Sequence, residues 1–454
     1  MPGGCSTPSS RARRWLRHDR LFRVCLITLV VTAGPWGGAN FSAQTVSTRS
    51  EADVIDLRPT PRAVPPEYFG IHIHRALTAP DSRRSPWPAI GVGSWRLWDA
   101  DVSWADLQPG PKDWRFSRLD SLVALAHSHH VAVYLTLGRT PRWASSRPLE
   151  RSAYGEGEQS PPSDIALWTV YVDTLSKRYK GRIAAYELWN EPNVPGFFSG
   201  SIEDLVAMAR VAYSTIKRAD PMALVISPSP AGGAKGVEWL SRYLVSGGAE
   251  VTDAIGFHPY ATNDTPESIV YPLLAASRLA SSTRGGIPLW VTEVGWFIQN
   301  SDLSVHPGAA AGGFDATVLS DTTGAAYVAR ALILARCAGA DRVMWYAWDN
   351  YRMGLADPGT RHGKVSARAY QTTARWMVGA TVDRCRRDSL GRWQVSLRSP
   401  HGRSHTIVWN QYAAVSINTT IRAHLSAIGD VRPADVRRRL VQIGMPFALE
   451  SRDE

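Results

Sequence analysis

Eight short apolar segments, rich in β-branched and aromatic residues, alternate along the chain with longer amphipathic segments. The apolar runs cover residues 68–74, 94–99, 131–138, 184–191, 223–229, 254–260, 288–296 and 342–350. Helical periodicity fills most of the gaps, at about residues 117–130, 164–180, 201–219, 236–246, 266–282, 322–339 and 365–378. Strands that are apolar on both faces and alternate with helices are typical of a parallel sheet covered by helices, and eight of them close naturally into a barrel. We therefore predict an α/β fold, a (β/α)8 TIM barrel.

An open, doubly wound parallel sheet is the alternative arrangement of the same elements. Such a sheet usually carries a Gly-rich phosphate-binding loop after its first strand. Here the first strand continues into GIHIHRALTAP, which has no GxGxxG pattern, and a Pro-rich connection leads to the second strand. The barrel is therefore favoured.

The sequence changes character at about residue 380. From there, β-prone residues alternate with polar ones, and turn signals such as SPHGR recur about every ten residues. This pattern predicts a small antiparallel β-sandwich domain over residues 380–454, following a barrel over 67–379. The lead-in at 45–66 is Pro-rich, and its segment ADVIDL could add a strand to the β domain.

Residues 1–44 have the organisation of a secretory signal. Several arginines precede an apolar run from Val24 to about Ala33, and small residues follow. About ten apolar residues are too few to span a bilayer comfortably. We expect export to the cell envelope, the periplasm or the medium, with the segment either cleaved or kept as a membrane tether. A disordered basic arm is the alternative.

The formal net charge of +11 is concentrated at the two ends of the chain. Residues 1–44 and 380–454 each contribute +5, and the 335 residues between them contribute about +1. This distribution argues against a nucleic-acid partner and leaves anionic polymers or a membrane surface as partners.

Four cysteines divide into two groups. Cys5 and Cys25 fall in the expected signal, so Cys337 and Cys385 would remain in the mature protein. Export permits a disulfide between them, and two separate buried thiols fit the sequence equally well. Since no CxxC or HExxH pattern occurs, we expect no metal and no other cofactor.

Two acidic residues occupy matching positions at the ends of barrel strands, where active sites of parallel barrels lie. The fourth predicted strand ends in YELWNEPN, with Asn190 and Glu191, and the seventh, LWVTEVGW, contains Glu293. Cleavage of a glycosidic bond needs such a pair, because one carboxyl group protonates the departing oxygen while the other stabilises or attacks the anomeric carbon. The distance between the two groups would decide between retention and inversion, and the sequence does not fix it.

The motifs WNEPN and TEVGW resemble the acid/base and nucleophile motifs of the retaining glycoside hydrolases of clan A, and within that clan most closely family 39. The resemblance covers nearly the whole mature chain, since that family joins a (β/α)8 barrel to a small β-sandwich. It implies that Glu191 is the general acid/base and Glu293 the nucleophile of a retaining β-glycosidase. It also implies a β-linked glycan as substrate: a β-xyloside fits the family, and a bacterial exopolysaccharide fits a basic enzyme tethered to a membrane.

Two more polar residues at strand ends are candidates for substrate or carboxylate contacts. Arg96, in SWRLW at the second strand, would hold Glu293 ionised through its fixed positive charge. Asn190 would donate a hydrogen bond to the sugar 2-hydroxyl group. For Arg96, a structural ion pair with Asp99 or Asp101 is the alternative.

Histidine and tyrosine side chains complete the predicted polar site. In GFHPY, at the sixth strand, His258 would join the carboxylate network and Tyr260 would donate to Glu293. A satisfied core histidine and a packing tyrosine are the plainer alternatives. His72 and His74 share one face of the first strand, since side chains alternate with period two, and would either line the sugar site or serve as core residues.

The chain contains eighteen tryptophans, whose flat faces can pack against the C–H faces of pyranose rings. Trp98, Trp143, Trp296, Trp345 and Trp348 fall at or just after strand ends. Trp345 lies on the eighth strand, where clan A barrels often place a sugar platform. For each of these residues ordinary core packing is the alternative.

Two other functions remain compatible with the sequence. The barrel could be a non-catalytic carbohydrate-binding protein used in polysaccharide assembly, or the terminal arginines could make the chain a binder of nucleic acid or of an anionic surface. Long loops at 147–164 and 300–321 would decide between a closed pocket for chain ends and an open cleft, so exo and endo action both stay open. The sequence does not predict the oligomeric state.

Overall fold

The computed structural model describes residues 54–77, 84–283, 285–302, 316–412, 415–416, 423–427, 440–441 and 444–450. The expected signal at 1–44, including Cys5 and Cys25, lies outside the described residues, as does most of the loop at 300–321. None of the described helices has the length and apolarity that are needed to cross a membrane.

Eight parallel strands form the barrel that the sequence predicts. In chain order they are β2 (Phe69–Ile71), β3 (Ser94–Leu97), β4 (Ala132–Leu137), β5 (Ala185–Leu188), β6 (Leu224–Ile226), β7 (Ile255–Phe257), β8 (Leu289–Val294) and β11 (Ala340–Trp345), after the lead-in strand β1 (Ile55–Leu57) and with the short pair β9 (Phe297–Ile298) and β10 (Val318–Leu319) inserted after β8. Their spatial order is β6-β5-β4-β3-β2-β11-β8-β7. A parallel bridge between Ile226 and Ala254 joins the two outermost strands and closes the barrel.

Helices follow most of the barrel strands. They are α1 (Trp104–Leu107), α2 (Ser117–Ser128), α3 (Ile165–Arg178), α4 (Ile202–Ala219), α5 (Ala234–Val245), α6 (Val270–Ser282), α7 (Asp321–Cys337) and α8 (Val365–Met377). Local capping sets several of their starts: Asp164 caps α3, and Ser201 forms a capping box with Asp204 at the start of α4. The described residues between β2 and β3, which exclude 78–83, form no helix.

The inside of the barrel changes from apolar at its base to polar at its mouth. The buried residues that fill the base are Tyr134, Ala185, Ile226, Ala254, Trp290 and Met344. Two residues further along β4, β5 and β8, on the same inward face, stand Thr136, Glu187 and Thr292. The carboxyl ends of the strands therefore present polar side chains to one common space, as in other parallel barrels.

An antiparallel sheet follows the barrel. It contains β12 (Thr381–Arg387), β13 (Arg392–Arg398), β14 (Ser404–Asn410), β16 (Ala423–Ser426) and β18 (Phe447–Glu450), while β15 (Val415–Ser416) and β17 (Leu440–Val441) form a separate antiparallel pair. The lead-in strand β1 pairs with β12 and completes a six-stranded sheet.

A disulfide between Cys337 and Cys385 joins the barrel to this sheet, and it resolves the alternative that the sequence left open. Cys337 is the last residue of α7, and Cys385 lies in β12. Trp409 of β14 adds a hydrogen bond from its Nε1 to Glu267 Oε1 at 2.9 Å, and Arg330 of α7 forms an ion pair with Glu267 at 3.0 Å. The sheet is therefore fixed to the helical layer by covalent and polar contacts.

Candidate active site

Carboxylates from two different barrel strands contact the same ring nitrogen of one histidine. Glu191 follows β5, Glu293 lies near the end of β8 and His258 follows β7. His258 Nδ1 lies 2.9 Å from Glu191 Oε1 and 3.1 Å from Glu293 Oε2. One oxygen from each carboxylate and one ring nitrogen of His258 all lie within 4.8 Å of one another. The structure thus brings together the acidic pair and the histidine that the sequence singled out.

The backbone at the end of β5 is what turns Glu191 into this space. Trp189 has φ of 95° and Glu191 has φ of 45°, both in the left-handed region that residues other than glycine rarely adopt. Trp189 is held by a hydrogen bond from its Nε1 to the carbonyl oxygen of Phe197 at 2.9 Å, and the Glu191 amide donates to the carbonyl oxygen of Ser229 at 2.9 Å. Such conformations cost energy and cluster at functional sites, where the surrounding contacts sustain them.

Arg96, on β3, connects three side chains at the base of the site and is 1% exposed. Its Nε donates to Glu187 Oε2 at 2.6 Å, its Nη2 donates to Asn190 Oδ1 at 2.8 Å, and its Nη1 lies 3.5 Å from Glu293 Oε2. The predicted contact between Arg96 and Glu293 is present, but it is the longest of the three.

The alternative partners of Arg96 are engaged elsewhere. Asp101 pairs with Arg118 at 3.5 Å, and Asp99 accepts a hydrogen bond from the Tyr346 hydroxyl at 2.9 Å. The charge of Arg96 is therefore directed into the barrel.

Glu187 is a buried carboxylate that the sequence analysis did not identify. Besides the bond from Arg96, its Oε2 accepts a hydrogen bond from Thr136 Oγ1 at 2.5 Å, and its Oε1 accepts one from the Ser229 hydroxyl. A glutamate within an otherwise apolar strand, YELW, is the signal that could have revealed it, because a buried charge needs a partner.

The protonation of the acidic pair follows from its burial. Burial raises the pKa of Glu191 to about 7, against the opposing charge of Arg96 and with a further upward contribution from Asp99. Burial also raises the pKa of Glu293 well above its ordinary value, while Arg96 lowers it and Glu191 raises it further. Two carboxyl groups this close titrate as a pair, so together they retain a proton in the neutral range.

This result differs from the expectation that donors would keep Glu293 ionised. Arg96 makes its short bond to Glu187 and stays 3.5 Å from Glu293. The remaining positive charge therefore only partly offsets the burial of Glu293.

His258 is a neutral member of this cluster. Burial lowers its pKa well below the usual value, and the charge of Arg96 lowers it further. Because Nδ1 faces both carboxylates while Nε2 has no hydrogen-bond partner among the described residues, we assign the single ring proton to Nδ1, from which it can be donated to a carboxylate.

Tyr260 lies beside the cluster with its ring edge-on to His258, at a centroid distance of 6.3 Å. Burial raises its pKa well above the usual value, and Glu293 and then Glu191 raise it further. The tyrosine therefore stays protonated near both carboxylates. Its hydrogen bond to Glu293 stays a prediction.

His72 and His74 stand on the β2 side of the mouth. Both rings pack against Tyr346, with centroid distances of 5.0 and 5.1 Å. His72 Nε2 lies 3.1 Å from the carbonyl oxygen of Thr292, and the backbone amide of His74 donates to Asp349 Oδ1 at 2.8 Å. The two histidines contribute to one wall of the site through Tyr346.

Trp345 and Trp296 lie in the core of the structure, which is the alternative that the sequence analysis left open for each of them. Both are fully buried, and they stack on each other at a centroid distance of 5.9 Å. Trp345 lies on the face of β11 opposite to Met344, which fills the barrel interior, because side chains alternate along a strand. The next residue, Tyr346, occupies the mouth instead.

The described contacts of Trp143 are with Gln108 and Trp104. It belongs to a short 3₁₀ turn after β4, and its Nε1 donates to the carbonyl oxygen of Gln108 at 2.8 Å. Its ring contacts the edge of Trp104 at a centroid distance of 6.4 Å. Its role in substrate binding stays a prediction.

Tyr154, on the long loop at 147–164, is an aromatic residue of the site that the sequence did not indicate. Its ring packs edge-on against Trp98 at 5.6 Å and Phe197 at 5.1 Å, and the Arg139 guanidinium lies 4.8 Å from its centre. Burial, and then the nearby carboxylates including Glu191, raise its pKa well above the usual value. The loop therefore delivers a protonated tyrosine to the mouth of the barrel.

Glu191, His258 and Glu293 have the composition of a three-ligand metal site. Their charge balance favours a proton instead, because the guanidinium of Arg96 lies 3.5 Å from Glu293 and would repel a divalent cation.

No protein-family model matches the chain, and a search of curated proteins finds no similar sequence. Solved structures with a similar fold include a family 39 glycoside hydrolase from Bacteroides cellulosilyticus WH2, with 17% identity and a TM-score of 0.63 over 86% of this chain and 81% of that one. A glucosidase from Croceicoccus marinus has 17% identity and a TM-score of 0.56 over 85% of each chain. A family 30 endoxylanase from Clostridium papyrosolvens C71 has 14% identity and a TM-score of 0.57 over 88% of this chain and 100% of that one. These similarities confirm the predicted fold, which the chain shares with glycoside hydrolases of families 39 and 30.

Proposed function

We propose that the chain is a retaining glycoside hydrolase that cleaves β-linked glycans by double displacement. The observation that carries the proposal is the meeting of Glu191 and Glu293, with oxygen atoms of the two carboxylates within 4.8 Å of each other. Carboxyl groups about 5–5.5 Å apart are typical of retaining enzymes, whereas inverting enzymes leave a gap of roughly 6.5–9.5 Å for a water molecule. The short gap supports direct attack by a carboxylate.

The two carboxylates have distinct roles in this reaction. Glu293 attacks the anomeric carbon while Glu191 transfers its proton to the glycosidic oxygen, so that the leaving alcohol departs and a glycosyl ester forms on Glu293. Glu191, now ionised, then takes a proton from a water molecule that attacks the anomeric carbon and releases Glu293. The raised pKa of Glu191, about 7, supports its role as an acid at neutral pH.

Neighbouring side chains support this division of roles. The position of Arg96, 3.5 Å from Glu293, stabilises negative charge on the nucleophile once the proton is on Glu191. Asn190 accepts from Arg96 through Oδ1 and its side chain also hydrogen-bonds Tyr154, so one hydrogen of its amide NH2 group remains to be donated to the sugar 2-hydroxyl. His258 Nδ1 contacts both carboxylates, so it can donate its hydrogen bond to whichever of the two is ionised.

For the substrate, we propose a β-xyloside or β-glucoside, or a bacterial exopolysaccharide that contains such a linkage. A glucosidase and an endoxylanase are among the proteins of similar fold, and the WNEPN and TEVGW motifs resemble those of family 39. Tyr346 and Tyr154 are the aromatic side chains at the mouth that we expect to contact the sugar. We also propose that residues 1–44 direct the enzyme out of the cytoplasm, which N-terminal sequencing of the protein from cell fractions would test.

Covalent trapping tests the reaction. The purified enzyme is incubated with 2-deoxy-2-fluoro β-xyloside and β-glucoside carrying good leaving groups, and peptides are analysed by mass spectrometry. One fluorosugar should be found on Glu293 in the wild type and in the exposed-carboxylate control Glu238→Ala, and it should be absent in Glu293→Ala. Binding of glycans without label or turnover on any aryl β-glycoside would instead support the non-catalytic carbohydrate-binding protein.

A further inference from the structure

A third carboxylate lies beneath the acidic pair and is not needed for either chemical step. Glu187 is fully buried on β5, four residues before Glu191. Arg96, Thr136 and Ser229 all donate hydrogen bonds to it, so that both of its oxygens are satisfied. Burying a carboxylate costs free energy, which only full pairing and hydrogen bonding can offset. A glutamate at this position therefore suggests a role for its charge.

The geometry of Arg96 suggests what that purpose is. Its guanidinium has a rigid fork of donors, and each of its three nitrogens contacts a different partner: Glu187 at 2.6 Å, Asn190 at 2.8 Å and Glu293 at 3.5 Å. The short bond at Nε fixes the plane of the fork. That plane sets how closely the other two nitrogens approach Asn190 and Glu293.

Glu187 also affects the charge around the acidic pair. The charged groups that face the acidic pair are Arg96 from β3, Asp99 from the end of β3 and Glu187 from β5. The other titratable groups around it are His72, His258, Tyr260, Tyr346 and Tyr154, which are all kept neutral by burial. Glu187 is therefore the nearest counter-charge to Arg96 that is not itself part of the reacting pair.

We propose that Glu187 is a positioning residue, which anchors Arg96 and takes up part of its positive charge so that the catalytic pair keeps a transferable proton near neutral pH. This inference rests on the proposed glycosidase function. Without Glu187, the whole charge of Arg96 would act on Glu191 and Glu293 and would favour loss of that proton.

The test compares pH profiles of kcat/KM for an aryl β-glycoside in the wild type, Glu187→Gln and Glu187→Asp. Glu187→Gln has nearly the same shape but no charge, and should move the basic limb of the profile to lower pH by about one unit. Glu187→Asp keeps the charge but cannot reach Arg96 as closely. The basic limb of its pH profile should therefore stay at the wild-type pH while kcat falls. A structural role alone would lower activity in both variants without moving either limb.

Outcomes that overturn the proposal are distinct from failure of the proposed function. The proposal is overturned if the wild type is trapped on Glu293 and the limb of Glu187→Gln stays within about 0.2 pH unit of the wild type, or if Glu187→Gln does not fold and Glu187→Asp retains full kcat. If the wild type turns over no glycoside, the pH dependence of the thermal unfolding midpoint reports the proton that Glu191 and Glu293 retain. Between pH 5 and 7 the midpoint should then fall less in Glu187→Gln than in the wild type, and an equal fall would overturn the proposal.

Discussion

Arg96 and Glu187 form an ion pair inside the barrel, with 2.6 Å between Nε and Oε2 and both side chains at most 1% exposed. Breaking such a pair by removing one partner costs about 3–5 kcal/mol, since the other charge is left buried. The pair therefore gives the polar mouth of the barrel a rigid base, from which Arg96 reaches Asn190 and Glu293.

His258→Ala should lower kcat/KM on the order of 10²-fold, because the shared Nδ1 donor between the carboxylates is lost. His258→Gln, which keeps a donor, should lose less. Steady-state kinetics with an aryl β-glycoside measures both effects, and the exposed His127→Ala serves as the control. Equal losses in the alanine and glutamine variants would argue against the donor role.

Stability should fall as pH rises from about 4.5 to 7. Burial raises the folded-state pKa of Glu191 to about 7, so over this range the folded state binds more protons than the unfolded state. The stabilisation is complete below the unfolded pKa and disappears as pH passes the folded one. Thermal unfolding by circular dichroism at successive pH values should show this slope in the wild type and a smaller one in Glu191→Gln. Identical slopes would contradict the assignment.

Tyr346→Ala should raise KM about tenfold, equivalent to about 1.4 kcal/mol, because we expect Tyr346 to contact the sugar at the mouth. Trp345→Phe should instead leave KM unchanged and lower the free energy of unfolding by about 1–3 kcal/mol, because Trp345 is fully buried. Kinetics and urea unfolding separate the two effects. A raised KM for Trp345→Phe alone would restore the platform role that the sequence suggested.

Chelation should leave activity unchanged. Prolonged dialysis against EDTA, followed by kinetic assay, should return the full rate, because the charge of Arg96 beside Glu293 disfavours a cation at the Glu191, His258 and Glu293 cluster. A loss of activity that added Zn²⁺ reverses would show that this cluster is a metal site.

Replacement of Cys337 and Cys385 by serine should lower the free energy of unfolding by about 2–4 kcal/mol under non-reducing conditions. The bridge closes a segment with a sequence separation of 48 and joins α7 to β12. Urea unfolding measures the loss, and dithiothreitol should destabilise the wild type but not the double variant. Alkylation of Cys337 and Cys385 themselves in the unfolded, unreduced wild type, identified by peptide mass spectrometry, would contradict the bridge.

Much of the fold and the acidic pair could be predicted from the sequence because both depend on local signals. Strand and helix periodicity placed the eight barrel strands, and the topology of a parallel barrel then brought the ends of β5 and β8 to one mouth. Glu191 and Glu293 were found on that argument alone.

The remaining features depend on contacts that no local pattern encodes. Trp345 is the last residue of β11 and is fully buried, whereas the next residue, Tyr346, is partly exposed at the mouth. The sequence does not show which of two adjacent aromatic residues at a strand end enters the site. Tyr154 sits on a long loop whose path follows from its packing against Trp98 and Phe197. The pairing of Cys337 with Cys385 required the position of the sheet against α7.

The most direct measurement of the central claim is the configuration of the first sugar released from an aryl β-glycoside, followed by ¹H NMR before mutarotation. One oxygen of Glu191 and one of Glu293 lie within 4.8 Å of each other, so we expect Glu293 itself to attack the anomeric carbon and the β-anomer to be released first. Release of the α-anomer first would contradict the account, because inversion needs a water molecule between two carboxylates that are roughly 6.5–9.5 Å apart.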